Sequence, residues 1–444
     1  MSRIKTFKRG GIHLTEMKYA RKMPVEGMPL AEVLYFPLFA ISGKPPLPIV
    51  QAGDKVKAGQ LIAKADGLVS TNMHTSVSGE VAGIEIMTDN LRGTCPTIVI
   101  KREDDNWLET IDRSDDLLKE IKSSPQQIIE RIRDCGINGM GGASFPTHVK
   151  LMVPDDCKVE TLIINGAECE PYLTSDHRLM LERGPEILVG TKILMKALGV
   201  SRAIIGIEVN KKDALKNLAE LAAEYEGISV QPLKTRYPQG GEKQLIQALV
   251  RREVPAGKLP AHVGVVVHNT GTAFAVYEAV QKNKPLFERY VTVAGKKVAA
   301  HKNLLVRCGT LVSEIIRYAG GLPEDTAKIL VGGPMMGRAL GKTEIPIGKE
   351  TNGIVLLTEK EAKQIRTINC MRCGHCVQVC PVNLRPYMLE AMVRNELIEM
   401  AGKHHIVDCM ECGCCQYACG SGRQLLEALR EGKKQVMQLN RKKS

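Results

Sequence analysis

Residues 124–150, SPQQIIERIRDCGINGMGGASFPTHVK, decide how the middle of this chain is read. Ser124 is placed to cap a helix, Pro125 suits its first turn, and Gln127 completes a capping box. Ile128, Ile129 and Ile132 recur at helical spacing, and Gly136 supplies a stop. A loop with glycine at 139, 141 and 142 follows, and the stretch ends on Lys150. Next come VETLIINGAE (159–168), a buried strand ending at Asn165, and a helical stretch from 176. SRAIIGIEV (201–209) is a second strand, 211–225 an amphipathic helix, and VGVVVHN (263–269) a third strand. This alternation over about 124 to 285 predicts an α/β domain with a mainly parallel sheet.

A glycine loop lets backbone N–H groups approach phosphate. This one follows a helix and not a strand, and Ser144 stands where G-x-G-x-x-G needs its last glycine. Spacing alone therefore fits a plain tight turn as well as a nucleotide site.

Upstream, residues 47–86 alternate Val, Ile and Leu with polar residues, punctuated by turns at Gly53-Asp54, Gly59-Gln60 and Gly79-Glu80. The pattern resembles the barrel-sandwich fold of biotinyl and lipoyl carriers. Asn72-Met73-His74 occupies the place of the carrier's lysine, so the reading is a structural relative and not a carrier. Downstream, RYVTVAGKKV (289–298) reads as a strand pair, TLVSEIIRYAGG (310–321) as a helix ending in glycines, and AKILVGGPMMGRAL (327–340) as a strand and turn. Residues 360–444 read as mostly helical around cysteines.

The chain has 14 cysteines, and nine lie between 370 and 419. They include CMRCGHCVQVCP (370–381) and CMECGCCQYACG (409–420), a tandem C-x2-C-x2-C-x3-C in which only the first is followed by proline. Three thiolates from one loop can grip three corners of a [4Fe–4S] cube, and in two-cluster proteins the fourth cysteine serves the other cube. The predicted ligand sets are Cys370, Cys373, Cys376 and Cys419, and Cys409, Cys412, Cys415 and Cys380. Zinc sites use paired C-x2-C motifs, and this tandem does not match them. Cys414 falls outside the register and reads as a bystander. Cys95, Cys135, Cys157, Cys169 and Cys308 read as small buried residues.

No apolar run reaches the ~18–20 residues of a membrane span, and the basic N-terminus lacks an apolar segment suited to secretion. The expected location is the cytoplasm or the cytoplasmic face of a membrane, held there by partners. Net charge is +12, and the tail GKKQVMQLNRKKS (432–444) suits an acidic partner or anionic lipid. Aromatic content of 4% gives no stacking platform, which argues against nucleic acid.

GMGGASFPTHVK (139–150) is similar to the G-x-G-G-A-G-F-P-T-x-x-K motif of the flavin- and NADH-binding subunit of respiratory complex I. LIINGAECEPYLTSDHRLMLE (162–182) resembles that family's N-A-D-E-x-E-P segment. Over nearly the whole chain, from GGIH (10–13) through GGPMMG (332–337) to the twin cysteine sets, the sequence resembles the C-subunit family of Rnf-type membrane-bound ferredoxin:NAD+ oxidoreductases.

That resemblance implies a site for flavin mononucleotide (FMN) with NAD(H) stacked on it. Gly139, Gly141, Gly142 and Ala143 would line the flavin, and Lys150 would face its phosphate. Phe145 would stack near the adenine of the nicotinamide nucleotide. Asn165 would hydrogen-bond flavin, with Glu168 beside it, and Glu170 would reach NADH. YPQGGEKQL (237–245) resembles Y-x-x-G-E-E-T-A-L and places Tyr237, Gly240, Gly241 and Glu242 in the pocket. VHNTGTA (267–273) resembles I-N-N-V-E-T-L and nominates Asn269 and Thr270 for the phosphate end. Ala167 and Gly241 depart from the relative, which carries acidic residues there. His13 and Met335-Met336 read as packing or docking residues, and His148, His177 and His268 receive no chemistry.

The expected architecture is multidomain α/β. A barrel-sandwich β domain spans 1–115, an FMN/NAD(H)-binding α/β domain 116–285, and an SLBB-like, β-grasp α+β module 286–345. A helical double [4Fe–4S] ferredoxin-like domain spans 360–430 and a basic tail 431–444. The implied function is a peripheral electron converter with no catalytic acid or base. It would partner other subunits of a membrane electron-transport complex, and ferredoxin indirectly, as that complex pumps ions. Alternatives are a flavin/iron–sulfur cobalamin reductase, or an electron-wire subunit with an empty flavin site.

Overall fold

A computed structural model describes residues 3–363 and 365–443; Gln364 and Ser444, which fall within the expected ferredoxin-like domain and tail, lie outside the described residues. The central sheet is wholly parallel, in the order Ile228–Leu233, Ala203–Glu208, Thr161–Gly166, Val265–Asn269. Ile228–Leu233 went unread in the sequence. It is an edge strand whose apolar residues are interrupted by Ser229, Gln231 and Pro232, and proline is tolerated only at such an edge. Both faces of the sheet are covered, as a parallel sheet requires. Helices Gly184–Leu198, Lys212–Ala222 and Thr270–Gln281 bury Ile193, Leu218 and Val276 on one side. Helix Glu242–Val250 packs Leu245, Ile246 and Leu249 against Ile163 and Val267 on the other.

Helix Pro125–Asp134 has the predicted capping box between Ser124 and Gln127. It ends with Gly136 at φ +62°. Gly136 N–H donates to Arg133 O, and Ile137 N–H to Ile132 O. These two bonds close a Schellman turn over a buried Ile132–Ile137 pair.

The N-terminal region forms a four-stranded antiparallel sheet and a three-stranded sheet around Leu34, Phe36, Ile62, Val81 and Ile98. Its would-be carrier tip is docked. Asn72 Nδ2 donates to Asp134 O at 3.2 Å, and Lys349 Nζ donates to both Asn72 O and Gly136 O at 2.7 Å. Before that region runs a strap. Lys5 bridges Leu233, Ile12 bridges Tyr237, and Gly11 N–H donates to Val379 O at 2.8 Å.

The third sheet has six strands and borrows Val25–Gly27 and Gly353–Thr358 from outside 286–345. Residues 289–298 are not a strand pair: Glu288–Ala294 is one strand, and its antiparallel partner is Lys302–Arg307. The hairpin is longer than expected because the Gly295 turn leads into an irregular segment before pairing resumes. Residues 431–443, within the expected basic tail, are helical. They continue a helix from Leu425 to Lys443, with Val436 buried and Lys433 donating to Cys409 O at 2.7 Å.

Candidate functional site

Strand order reverses between Thr161–Gly166 and Val265–Asn269, the switch point where open parallel sheets hold ligands. Asn165 and Asn269 are register partners at its carboxyl end. Asn269 caps helix Thr270–Gln281 by accepting from Gly271 N–H at 2.7 Å, and its Nδ2 donates to Asp176 Oδ2 at 2.6 Å. The glycine loop lies directly over it: a Cβ on Gly141, at φ +74°, would sit 3.0 Å from Asn269 Nδ2. Asn165 Nδ2 donates to Gly240 O at 2.8 Å, which brings the YPQGG loop to the same crevice. Lys150 Nζ donates to Glu242 Oε1 at 2.7 Å and to Val267 O at 3.0 Å. Phe145 is half-buried at the base of the loop, where its carbonyl accepts from Gly139 N–H. Gly141, Asn165, Gly240 and Asn269 thus meet at one crevice, and the Lys150–Glu242 pair is tied to the strand that ends there.

The residues present fit a flavin phosphate and ring. Thr270 Oγ1 is buried without a hydrogen-bond partner at the N-terminus of its helix, and Lys150 Nζ holds the strand that leads into that helix at Val267 O. Exposed Gly142 has open space where a Cβ would be, so a planar ring can approach its backbone.

Three residues are engaged elsewhere. Glu168 accepts from Asp176 N–H at 2.7 Å and His177 N–H at 3.3 Å, capping helix Ser175–Glu182. Glu170 accepts from Met335 N–H at 3.0 Å and Met336 N–H at 2.8 Å, so its carboxylate pins the GGPMMG loop instead of facing the crevice. Burial pushes Glu170 up to about 7, against the pull of those two bonds and Lys18. Tyr237 buries its ring, and its hydroxyl donates to Cys412 O at 2.9 Å.

Several functional contacts had no local signal. Lys18 Nζ donates to Glu168 O and Glu170 O, both at 2.9 Å, and Lys211 Nζ donates to Ala167 O at 2.6 Å. Two buried lysines from distant segments therefore fix the 167–170 loop. Gly241 lies where the cysteine-rich domain closes over the YPQGG loop. A Cβ there would lie 2.5 Å from Met410 Cε, which comes from the cysteine-rich domain.

The cysteines fall into crossed groups. Cys370, Cys373, Cys376 and Cys419 line one cavity of about 640 Å³, together with Arg372, Arg385 and Arg423. Cys380, Cys409, Cys412 and Cys415 sit close enough to influence one another: after burial, the charges of Cys409, Cys412 and Cys380 push the Cys415 thiol up. The two loops repeat their backbone, with left-handed Arg372 and Gly374 matched by Glu411 and Gly413. Among the described residues, three metal donors approach within 4.8 Å of one another only at Asp156, Cys157 and His262. A single zinc with 2.3 Å bonds would draw its thiolates to ~3.8 Å apart. No three cysteines of either set lie that close among the described residues. Cys414 is fully buried and hydrogen-bonded with Cys412, at the wall formed by Ile12 and Tyr237. Of the scattered cysteines, Cys95, Cys135 and Cys308 are buried, while Cys157 and Cys169 are only partly so.

Three family models match the chain: the Nuo51 FMN-binding domain over 132–278, the RnfC barrel sandwich hybrid domain over 5–105, and the SLBB domain over 290–339. The chain is 43% identical over 406 residues to the C subunit of the proton-translocating ferredoxin:NAD(+) oxidoreductase complex of Clostridium ljungdahlii, covering 90% of this chain and 87% of that one. It is 38% identical over 439 residues to the Na(+)-translocating counterpart of Acetobacterium woodii, covering 98% of each. It is 42% identical over 401 residues to the C subunit of the ion-translocating oxidoreductase complex of Rhodobacter capsulatus, covering 89% and 76%. Among solved structures, an NAD+-reducing [NiFe]-hydrogenase in the H2-reduced state superposes with a TM-score of 0.50 at 18% identity. That match covers 71% of this chain and 63% of the hydrogenase chain, and it speaks to fold alone.

Proposed function

The chain belongs to the C-subunit family of ion-translocating ferredoxin:NAD+ oxidoreductase complexes, and on that premise we propose that it is the subunit that exchanges electrons with NAD(H). Other subunits of the membrane complex are its partners. Among the described residues no helix is long and apolar enough to cross a membrane, so ion translocation falls to those partners. Its place is peripheral, on the cytoplasmic face, where NAD(H) is found.

FMN, when bound, supplies the exchange between a hydride's electron pair and single electrons, and [4Fe–4S] clusters supply single-electron carriage. The chain's own residues position these groups. Thr270 at its helix N-terminus and Lys150 hold the phosphate end. Asn165 and the Gly139–Ala143 loop orient the ring, with Phe145 toward the nucleotide. Cys380, Cys409, Cys412 and Cys415 hold the flavin-proximal cluster, and Cys370, Cys373, Cys376 and Cys419 hold the distal one. Ile12, Tyr237, Met335, Met410 and Cys414 form one apolar cluster between the crevice and the proximal set, which keeps water out of that gap. No side chain acts as a general acid or base.

The observation that carries the reading is the seam itself: the YPQGG loop touches Asn165 through Gly240 and Cys412 through Tyr237. The test is anaerobic mixing of reconstituted protein with NADH while flavin and cluster absorbance are followed. Both should bleach, and bleaching of neither refutes the proposal. The cobalamin-reductase alternative finds no support in the three relatives named above, each of them the C subunit of its complex.

A further inference from the structure

We propose that Tyr237 is a positioning residue that raises the potential of the flavin-proximal cluster through its hydrogen bond to the Cys412 carbonyl. The inference rests on the cluster reading above.

Tyr237 is 2% exposed, and its hydroxyl donates to Cys412 O at 2.9 Å. The ring is carried on a fixed backbone. Tyr237 N–H donates to Ile12 O at 2.9 Å, and Ile12 N–H donates to Tyr237 O at 2.8 Å. Two main-chain bonds to a separate segment leave the phenol little freedom to turn away. A phenol is protonated at neutral pH, so the hydroxyl is available as a donor.

The consequence is electrostatic. Cys412 is a proposed ligand, and its carbonyl dipole presents negative charge at the edge of the site. The phenol hydrogen offsets that charge. Adding an electron to a cluster increases its negative charge, so the donor favours the reduced state, and hydrogen bonding around a cluster is one of the protein's levers on potential. The surroundings are apolar, with Ile12, Cys414 and Met410 in the same packed group, so the dipole acts at low dielectric. The Cys370 set is lined instead by Arg372, Arg385 and Arg423. Different groups therefore tune the two clusters, and a change at Tyr237 should reach one of them.

The experiment is potentiometry of the reconstituted full chain, followed by electron paramagnetic resonance, with iron counted on the same samples. Wild type should hold about eight irons. Tyr237→Phe keeps the ring and removes the donor. One midpoint should fall while the other stays at its wild-type value. In a Cys373→Ser background, which removes the distal cluster, the remaining signal should carry the whole shift. Replacing Tyr237 with 3-fluorotyrosine strengthens the donor and should shift the same signal upward. Unmoved midpoints with eight irons overturn this inference alone, as does a shift in the signal that Cys373→Ser abolishes. Four irons or fewer in wild type overturn the two-cluster reading and this inference with it. If Tyr237→Phe loses iron, the fluorotyrosine protein, which preserves the bond, decides by the same criterion.

Discussion

Two adjacent glycines should fail in opposite ways when changed to alanine. Gly141 has φ +74°, a region that costs an L-residue ~1–2 kcal/mol. Its new Cβ would meet Asn269 Nδ2 at 3.0 Å and Cγ at 3.4 Å. Asn269 cannot yield freely, because it caps its helix through Gly271 and holds Asp176. Disturbing that cap adds ~1 kcal/mol. The total is ~2–3 kcal/mol, and a domain of this size loses ~2–4 °C of Tm per kcal/mol. Gly141→Ala should therefore unfold roughly 4–12 °C lower in calorimetry. Gly142 has no left-handed φ and nothing within 4 Å of a Cβ. Gly142→Ala should keep its Tm, or raise it slightly through the unfolded chain. Its methyl group nevertheless enters the space assigned to the flavin. FMN affinity, read by fluorescence quenching, should drop about tenfold, or ~1.4 kcal/mol. If Gly142→Ala binds FMN as wild type does, the flavin does not lie over this loop. If Gly141→Ala melts with wild type, the Asn269 contact is not a constraint.

Cys419→Ser should remove the cluster of Cys370, Cys373 and Cys376, and spare the one nearer in sequence. About four irons should remain, with the proximal signal intact, and loss of the proximal signal instead would refute crossed ligation. Glu170 is pushed up to about 7 in the folded protein, from an ordinary 4.5. Between those values the folded state holds the proton more tightly, so this contribution to stability is full below about 4.5 and is lost as pH rises through about 7. Glu170→Gln, which never ionises, should gain Tm relative to wild type between about pH 5 and about pH 8, and a constant difference would count against the shift. Truncation after Arg430 removes Lys433, which holds Cys409 O and Glu411, and buried Val436. The proximal cluster should be lost along with any membrane docking, and full iron retention would show that this helix does not support the Cys409 loop.

What the sequence disclosed depended on how far apart the interacting residues lie. The Ser124–Gln127 cap, the Gly136 stop and the cysteine spacing are local, so each could be read from a dozen residues. Strand Ile228–Leu233 was hidden because Ser229, Gln231 and Pro232 interrupt its apolar residues at the sheet edge. Glu168 and Glu170 were placed in the crevice by likeness. Their carboxylates go instead to a helix end eight residues on and to a loop some 165 residues on, pairings that no window of sequence reports. Lys18 and Lys211 escaped for the same reason: a buried lysine looks like any surface lysine until its three-dimensional partners are known. Gly241 was read as a lost acidic contact, and its neighbour Met410 belongs to another domain, which no local window reports.

The N-terminal strap sets an order on biosynthesis. Gly11 must wait for Val379, about 370 residues later, a delay of roughly 20–75 s at ordinary translation rates. The flavin-binding half is thus made, and can pair its Leu233 and Tyr237 with Lys5 and Ile12, before the last-made, iron-bearing half arrives to close the remaining bond. An insertion between Phe7 and Gly10 would lengthen the strap just where Gly10 meets Cys380, so it should slow metallation more than the same addition at a barrel turn.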